Sequence, residues 1–206
     1  MDKTLKTIEG YNHCASAFVE EFMDLGIFTE YVQEFSDLLG EGASILDLGC
    51  GPGNIGRFLM NQNKAYKILG LDLSAEMLRL AKKHVPEGRF VSADLRYLPL
   101  QDKFDAIVAS FCIIHLDNSN ALHLLKKTFN LLNDGGYLYL SFMSGGRPGF
   151  ERTSFSQEEI YFNYFSPRRI LKYLERLGYR IITKHHHTYQ RTTNQVIQDI
   201  VIIACR

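Results

Sequence analysis

Ser44-Ile45-Leu46-Asp47-Leu48-Gly49-Cys50-Gly51-Pro52-Gly53-Asn54-Ile55-Gly56 is the stretch on which the reading of this chain turns. A short apolar run ends in an acid. Three glycines follow at alternate positions, and an amphipathic segment from Ile55 to Asn61 begins at once. That order predicts strand, tight loop and helix. Glycine suits a loop whose backbone takes positive φ or lets a ligand approach where a Cβ would stand. The helix start leaves unpaired N–H groups directed back at the loop, a seat for an acceptor-rich ligand.

Outward from the loop the pattern alternates. Lys67 to Asp72 reads as a second strand ending in an acid, and Ser74 caps the helix after it, with Met77, Leu78 and Ala81 on its inner face. Arg89 to Asp94 reads as a third strand, again ending in an acid, and Phe104 to Ser110 as a fourth, apolar on both faces. A helix from about Ser119 to Leu132 is stopped by Asp134-Gly135-Gly136, before a fifth strand from Tyr137 to Met143. Strands separated by helices predict right-handed crossovers and a mostly parallel sheet.

Upstream, Met1 to Gly40 is a helical preface. Phe18, Phe22 and Leu25 recur at helix spacing, as do Ile27, Tyr31, Phe35, Leu38 and Leu39, with Gly26 between the two helices. Such a preface either covers the sheet edge or closes over a ligand. Tyr11 and His13, expected just before the first helix, are its candidate polar contacts. Downstream, Ser144 to Phe155 reads as a loop bearing glycine and arginine, and Gln157 to Phe165 as a short aromatic segment. Ser166-Pro167 opens a helix through Leu177. Tyr179 to Tyr189 and Val196 to Ala204, joined by the polar segment Gln190 to Gln195, have no helix between them. They predict an antiparallel hairpin that buries Val196 and Ile200 or their alternates.

The 206 residues suit one domain, and 46% hydrophobic with 22% charged residues is an ordinary globular composition. The formal net charge is +0, which offers no basic surplus for a nucleic-acid backbone. Met1 to Gly10 carry no apolar core, so no leader is expected, and no apolar run is long enough to span a bilayer. Cys14, Cys50, Cys112 and Cys205 are scattered and read as reduced thiols in a cytoplasmic protein. Cys50 reads as a small residue filling the loop rather than a nucleophile.

Three successive strands end in Asp47, Asp72 and Asp94, and in an open parallel sheet these ends line one crevice. Gly51 to Gly56 also satisfies the dinucleotide pattern G-x-G-x-x-G, with Asp72 about twenty residues on, where an acid can accept both ribose hydroxyls. A pyrophosphate would be repelled by Asp47, whereas a cationic sulfonium with a free ammonium would be favoured. A third carboxylate, Asp94, can accept from an exocyclic adenine amine.

Asp47 to Gly53, Gly70 to Leu78, Ala93-Asp94, Phe104 to Ser110 and Leu132 to Leu138, in that order, resemble a class I S-adenosylmethionine-dependent methyltransferase, closest to the small bacterial-type members acting on small molecules. The resemblance covers roughly residues 10 to 206. It implies an α/β fold, a Rossmann-like doubly wound sheet of seven strands, mostly parallel with an antiparallel C-terminal strand, under an N-terminal helical cover. Residues 1–206 would form one such domain, with 1–40 as cap and 144–165 as a substrate lid. The resemblance further implies that Gly49, Gly51 and Gly53 hold the methionine part of S-adenosylmethionine, with Asp47 orienting its ammonium. Asp72 would bind ribose, Leu73 would pack on adenine, Asp94 would meet the adenine amine with Leu95 beside it, and Met77 and Ala93 are further candidate cofactor contacts. Ser110 and Phe111 would border the sulfonium, and Tyr11 is the contact from the cover. The product would be S-adenosylhomocysteine.

Methyl transfer is an in-line displacement at an activated carbon, so a base is needed only when the acceptor must lose a proton. His115 is the best-placed candidate, and it also reads as a residue that shapes the pocket. Arg147 and Arg152 are candidates for recognising a carboxylate or phosphate, and Tyr161 and Tyr164 for stacking on a substrate. His185-His186-His187 alternate faces on a strand and cannot ligate one ion, so no metal is expected. The leading expectation is methyl transfer to O, N or C of a small molecule by a monomer or homodimer with no nucleic-acid or membrane partner. The alternatives are an NAD-linked oxidoreductase and a non-catalytic S-adenosylmethionine-binding protein.

Overall fold

The computed structural model describes residues 2–153, 155–192 and 195–206. Among the described residues six α-helices and nine strands follow one another. They are α1 (Lys3–Phe22), α2 (Thr29–Asp37), β1 (Ser44–Leu48), α3 (Asn54–Met60), β2 (Lys67–Asp72), α4 (Ala75–His84) and β3 (Arg89–Ser92). Then come β4 (Phe104–Ser110), α5 (Asn118–Leu131), β5 (Leu132–Ser144), β6 (Gly149–Thr153), β7 (Ser156–Phe162), α6 (Pro167–Leu177), β8 (Arg180–Thr192) and β9 (Gln195–Cys205). Seven strands form one sheet in the order β3-β2-β1-β4-β5-β9-β8. All neighbours from β3 to β5 pair in parallel, and β9 runs antiparallel between β5 and β8. The strand order reverses between β1 and β4, so the connections diverge there and leave a crevice at the carboxyl ends.

Alternation along the strands divides the core between the two faces of the sheet. Leu46, Leu48, Ile107, Leu140 and Ile202 point to the side covered by α5 and α6. Ile45, Val108, Tyr139, Val201 and Ile203 point to the side covered by α2 and α3, whose Val32, Phe35, Ile55 and Leu59 are buried against them. Among the described residues no helix is long and apolar enough to cross a membrane.

The doubly wound sheet, its antiparallel β9 and the helical cover agree with expectation. Three details differ. Tyr11 and His13 lie inside α1, not before it. The Asp2 side chain caps that helix early by accepting from Thr4 N at 2.9 Å. Gly10 inside this helix is a point of close approach, where a Cβ would stand 3.4 Å from Ile160 Cγ1 of β7. Second, the expected loop and aromatic segment between 144 and 165 contain an antiparallel hairpin, β6–β7. Its facing pairs are Arg152 with Glu159 and Phe150 with Tyr161, opposite charges and edge-to-face rings. Third, Ile200 is buried as expected but Val196 is 54% exposed, and Ile197 takes the buried place. Thr193 and Asn194, the middle of the expected polar link, lie outside the described residues.

Candidate active site

The loop after β1 is built by backbone. Gly49, Gly51 and Gly53 have φ of +64°, +52° and +81°. Cys50 N donates to Leu71 O at 2.9 Å, which ties the loop to β2. A Cβ at Gly49 would stand 2.6 Å from Cys112 Cβ, whereas one at Gly51 would meet nothing within 4 Å. Gly49 is therefore required by the protein's own packing, and Gly51 leaves open space beside it. Gly53 caps α3 and approaches Ala81 of α4.

Asp72 organises the neighbouring turn. Its Oδ2 accepts from Gly51 N and its Oδ1 from Ser74 N, both at 2.9 Å. Burial raises its pKa, opposed by the backbone donors Ser74, Gly51 and Leu73. Asp47 is buried at the end of β1, and its pKa is pushed up to about 7, first by burial and then by the charge on Asp72. A buried acid, Asp47, and a half-buried one, Asp72, thus stand together, with a field that a cationic ligand would relieve. Asp94 accepts from the Arg96 guanidinium at 2.7–3.1 Å. Partial burial would raise its pKa, but the Arg96 hydrogen bonds outweigh that and hold it low. Arg96 also reaches Asp2 at 3.3 Å, so the end of β3 is linked to the N-cap of α1.

These groups surround a cavity of about 170 Å³. Of the expected cofactor residues, Tyr11, Gly49, Gly51, Asp72, Leu73, Met77, Ala93, Asp94, Leu95, Ser110 and Phe111 line it together. Asp47 and Gly53 are not among its lining residues. Phe111 has φ +47°, rare for a non-glycine residue, and is held there by hydrogen bonds from its N–H to Ser141 O (3.1 Å) and Oγ (2.9 Å).

His115 lines the same cavity in a single 3-10 turn, Ile113–His115. Its Nδ1 lies 2.9 Å from the carbonyl of Tyr161, so Nδ1 carries the hydrogen and donates. Its Nε2 then holds a lone pair, 3.0 Å from the Tyr11 hydroxyl, which donates to it. Burial lowers the His115 pKa to about 4, only partly offset by the Tyr161 carbonyl, and burial raises that of Tyr11.

The expected substrate residues fall elsewhere. Arg147 and Arg152 are exposed, the latter opposite Glu159 in the hairpin. Tyr161 lies under the Lys3 ammonium at 4.4 Å, and Tyr164 donates to the Glu151 carboxylate at 2.9–3.0 Å. None of the four lines the cavity. The hairpin acts from behind, through the Tyr161 carbonyl on His115 and Asn163 N on Ile114 O. Thr4, Thr7, Ile8 and Phe18 of α1, with Cys112, Ile114 and Leu116, line the cavity without having been expected there. The spacing Thr4, Ile8, Tyr11, Phe18 is a helix stripe, a signal that was present in the sequence.

Residues 45–136 match a family model described as a methyltransferase domain. Over 100 residues, 48% of this chain and 39% of the relative, the chain is 35% identical to a trans-aconitate 2-methyltransferase of Azoarcus sp. (strain BH72). Over 170 residues, 78% of this chain and 33% of the relative, it is 30% identical to a phosphoethanolamine N-methyltransferase of Triticum aestivum. The chain therefore spans well under half the length of these curated relatives. A solved structure of a SAM-dependent methyltransferase from Methanosarcina mazei superposes with a TM-score of 0.70 at 22% identity, covering 84% of this chain and 96% of that one. Residues 45–136 thus match a methyltransferase-domain model, and the chain has the fold of the solved methyltransferase structure it superposes on.

Proposed function

We propose that this chain transfers a methyl group from S-adenosylmethionine to O, N or C of a small-molecule acceptor. The observation that carries this is the joint lining of one cavity by Gly51, Asp72, Leu73, Asp94 and Leu95, with Asp47 buried at the end of β1. The donor set fits the group. Gly51 leaves room where a Cβ would intrude, Asp72 and Asp94 offer carboxylate lone pairs, and Leu73 and Leu95 offer apolar surface for a base. The acids at Asp47 and Asp72 suit a ligand with net positive charge and oppose a pyrophosphate, which counts against the NAD-linked reading.

When bound, S-adenosylmethionine supplies a methyl carbon already activated on a sulfonium. The chain's own part is to align an acceptor and keep water out. His115 is neutral and bonded to Tyr11, so an acceptor proton has a path to the Tyr11 oxygen and on to His115 Nε2. We place 1–40 as the cap and 144–165 as the element that buttresses His115, in one domain. The relatives' names cover acceptors as unlike as trans-aconitate and phosphoethanolamine, so the acceptor is not carried over from either. A cytoplasmic, non-nucleic-acid role as monomer or homodimer belongs to the same proposal.

Calorimetry with S-adenosylhomocysteine and NAD side by side tests the reading. Saturable binding of the former alone is expected. Binding of NAD alone, or of neither, overturns it.

A further inference from the structure

The cavity has an unbalanced set of charges. Its ionisable lining residues are Tyr11, Asp72, Asp94, Cys112 and His115, and among the described residues no lysine or arginine lines it. Three cations on the flanking segments, Arg96, Lys3 and Lys6, are engaged with acids. Arg96 is gripped by Asp94 and Asp2. Lys3 lies 3.8 Å from Asp117 and over the Tyr161 ring. Lys6 pairs with Glu159 and sits over Phe150. His115 does not supply a cation either, because Nδ1–H donates to Tyr161 O and Nε2 accepts from Tyr11.

The hydrogen-bond directions point the same way. The Tyr11 proton is given to His115, so its oxygen offers only lone pairs to anything else in the cavity. Thr7 Oγ1 donates to Lys3 O at 2.8 Å and accepts from Tyr161 N at 3.2 Å. Of the rest of the acceptor-facing wall, Ile8, Phe18, Ile114 and Leu116 are apolar, and Thr4 adds a hydroxyl but no charge. A carboxylate or phosphate entering here would lose its water next to two acids and gain no positive partner. A neutral O–H or N–H would find the Tyr11 oxygen as its acceptor.

We infer that the methyl acceptor of this site is a molecule without negative charge, with an apolar body and one O–H or N–H donor, held at the Tyr11 hydroxyl. This rests on the methyltransferase reading above and names its substrate class. The step balances. The lone pair of the acceptor oxygen or nitrogen forms the bond to the methyl carbon, and the carbon–sulfur pair returns to sulfur. The acceptor proton leaves to Tyr11, whose own proton passes to His115 Nε2. The positive charge lost at sulfur reappears on the imidazole, so the total charge in the cavity is unchanged. An acceptor whose attacking atom is itself an anion has no proton to give, and the Tyr11–His115 pair would have no part in its reaction.

The test uses the full chain, first titrated with S-adenosylhomocysteine and then saturated with it. Thermal shift is read at pH 7.5 against neutral phenols, alcohols and amines. Each is paired with an analogue differing by one carboxylate or phosphate, p-cresol with 4-hydroxybenzoate among them. Calorimetry on the best pair gives its Kd ratio. Binding confined to neutral members, with a Kd at least tenfold below that of the anionic partner, is expected. Ile8→Lys should shrink that ratio while S-adenosylhomocysteine still binds. Equal or tighter binding of an anionic member, or no neutral member binding, overturns the inference. Failure to bind S-adenosylhomocysteine in the first titration overturns the parent reading instead, so the two failures are distinct.

Discussion

The cavity has two walls made in different ways. The wall at the sheet edge is backbone and acid. Gly49, Gly51 and the turn at Ser74 are held by hydrogen bonds within a few residues of β1 and β2, and Asp72 ties them together. The opposite wall is side chain on helix. Thr4, Thr7, Ile8 and Tyr11 reach the cavity only because α1 packs on β7 and Asp2 reaches Arg96. The first wall is local in sequence and suited to hold one ligand rigidly. The second is assembled from distant segments, Tyr11 and His115 being 104 positions apart, and suited to vary with the acceptor.

The two walls should titrate with opposite sign. His115 has a folded pKa of about 4 against an ordinary 6.5, so its contribution to stability is present above 6.5 and lost as pH falls towards 4. Asp47 has a folded pKa of about 7 against an ordinary 3.8, so its contribution is present below 3.8 and lost as pH rises through 7. The stability of His115→Phe relative to the parent should therefore rise as pH falls from 6.5 to 4, by on the order of 3 kcal/mol. That of Asp47→Asn should rise as pH climbs from 4 to 7. Chemical denaturation across this range measures both, and differences flat with pH would break the contrast between the walls.

Tyr11→Phe should separate the walls functionally. It removes the donor to His115 Nε2 and the oxygen proposed to receive the acceptor proton. Turnover should fall by about a hundredfold, the scale of one lost proton-transfer group. S-adenosylhomocysteine affinity should change by less than about threefold. An equal loss in both would make Tyr11 part of the cofactor wall.

Asp72→Ala strikes the other wall. It frees Gly51 N and Ser74 N and removes the carboxylate proposed for ribose. S-adenosylhomocysteine binding should weaken by at least about tenfold by calorimetry, equivalent to one charged hydrogen bond. Unchanged affinity in a folded variant would remove Asp72 from the site.

Asp2→Ala should have the smallest effect. It deletes the N-cap of α1 and one partner of Arg96, leaving Asp94 in place. A loss of about 1 kcal/mol is expected from the cap alone. If thermal melts show none, α1 is held by its packing on β7 rather than by its N-terminus.

The sheet-edge wall was legible because its signals are short range. An acid ending a strand, glycines at alternate positions and Ser74 as a cap each act within a few residues, and they brought Gly49, Gly51, Asp72 and Asp94 to one place. The start of α1 was misplaced, since Tyr11 and His13 were expected before it, and nothing local marks the packing role of Gly10. Its meaning depends on Ile160, 150 positions away in sequence, lying against it. Arg147 and Arg152 were candidates for recognising an anionic substrate by residue type alone. The hairpin then turns both to the surface and sets Arg152 across from Glu159. Asp94 was expected to be free for a ligand, yet Arg96, two residues on, folds back onto both its oxygens.

By itself, the sequence determined the alternation of strands and helices, the mostly parallel sheet, the C-terminal antiparallel hairpin and the acids at the strand ends, and its resemblance to a methyltransferase implied the doubly wound order. Periodicity, caps and glycine act through local sterics, and short right-handed connections narrow the topologies they allow. The tertiary structure alone decided which face of α1 meets the crevice, that Tyr11 donates to His115, and that Arg96, Lys3 and Lys6 are engaged by acids from other elements. Those outcomes depend on side chains far apart in the chain meeting at hydrogen-bond distance, and such meetings are set by packing rather than by any local pattern.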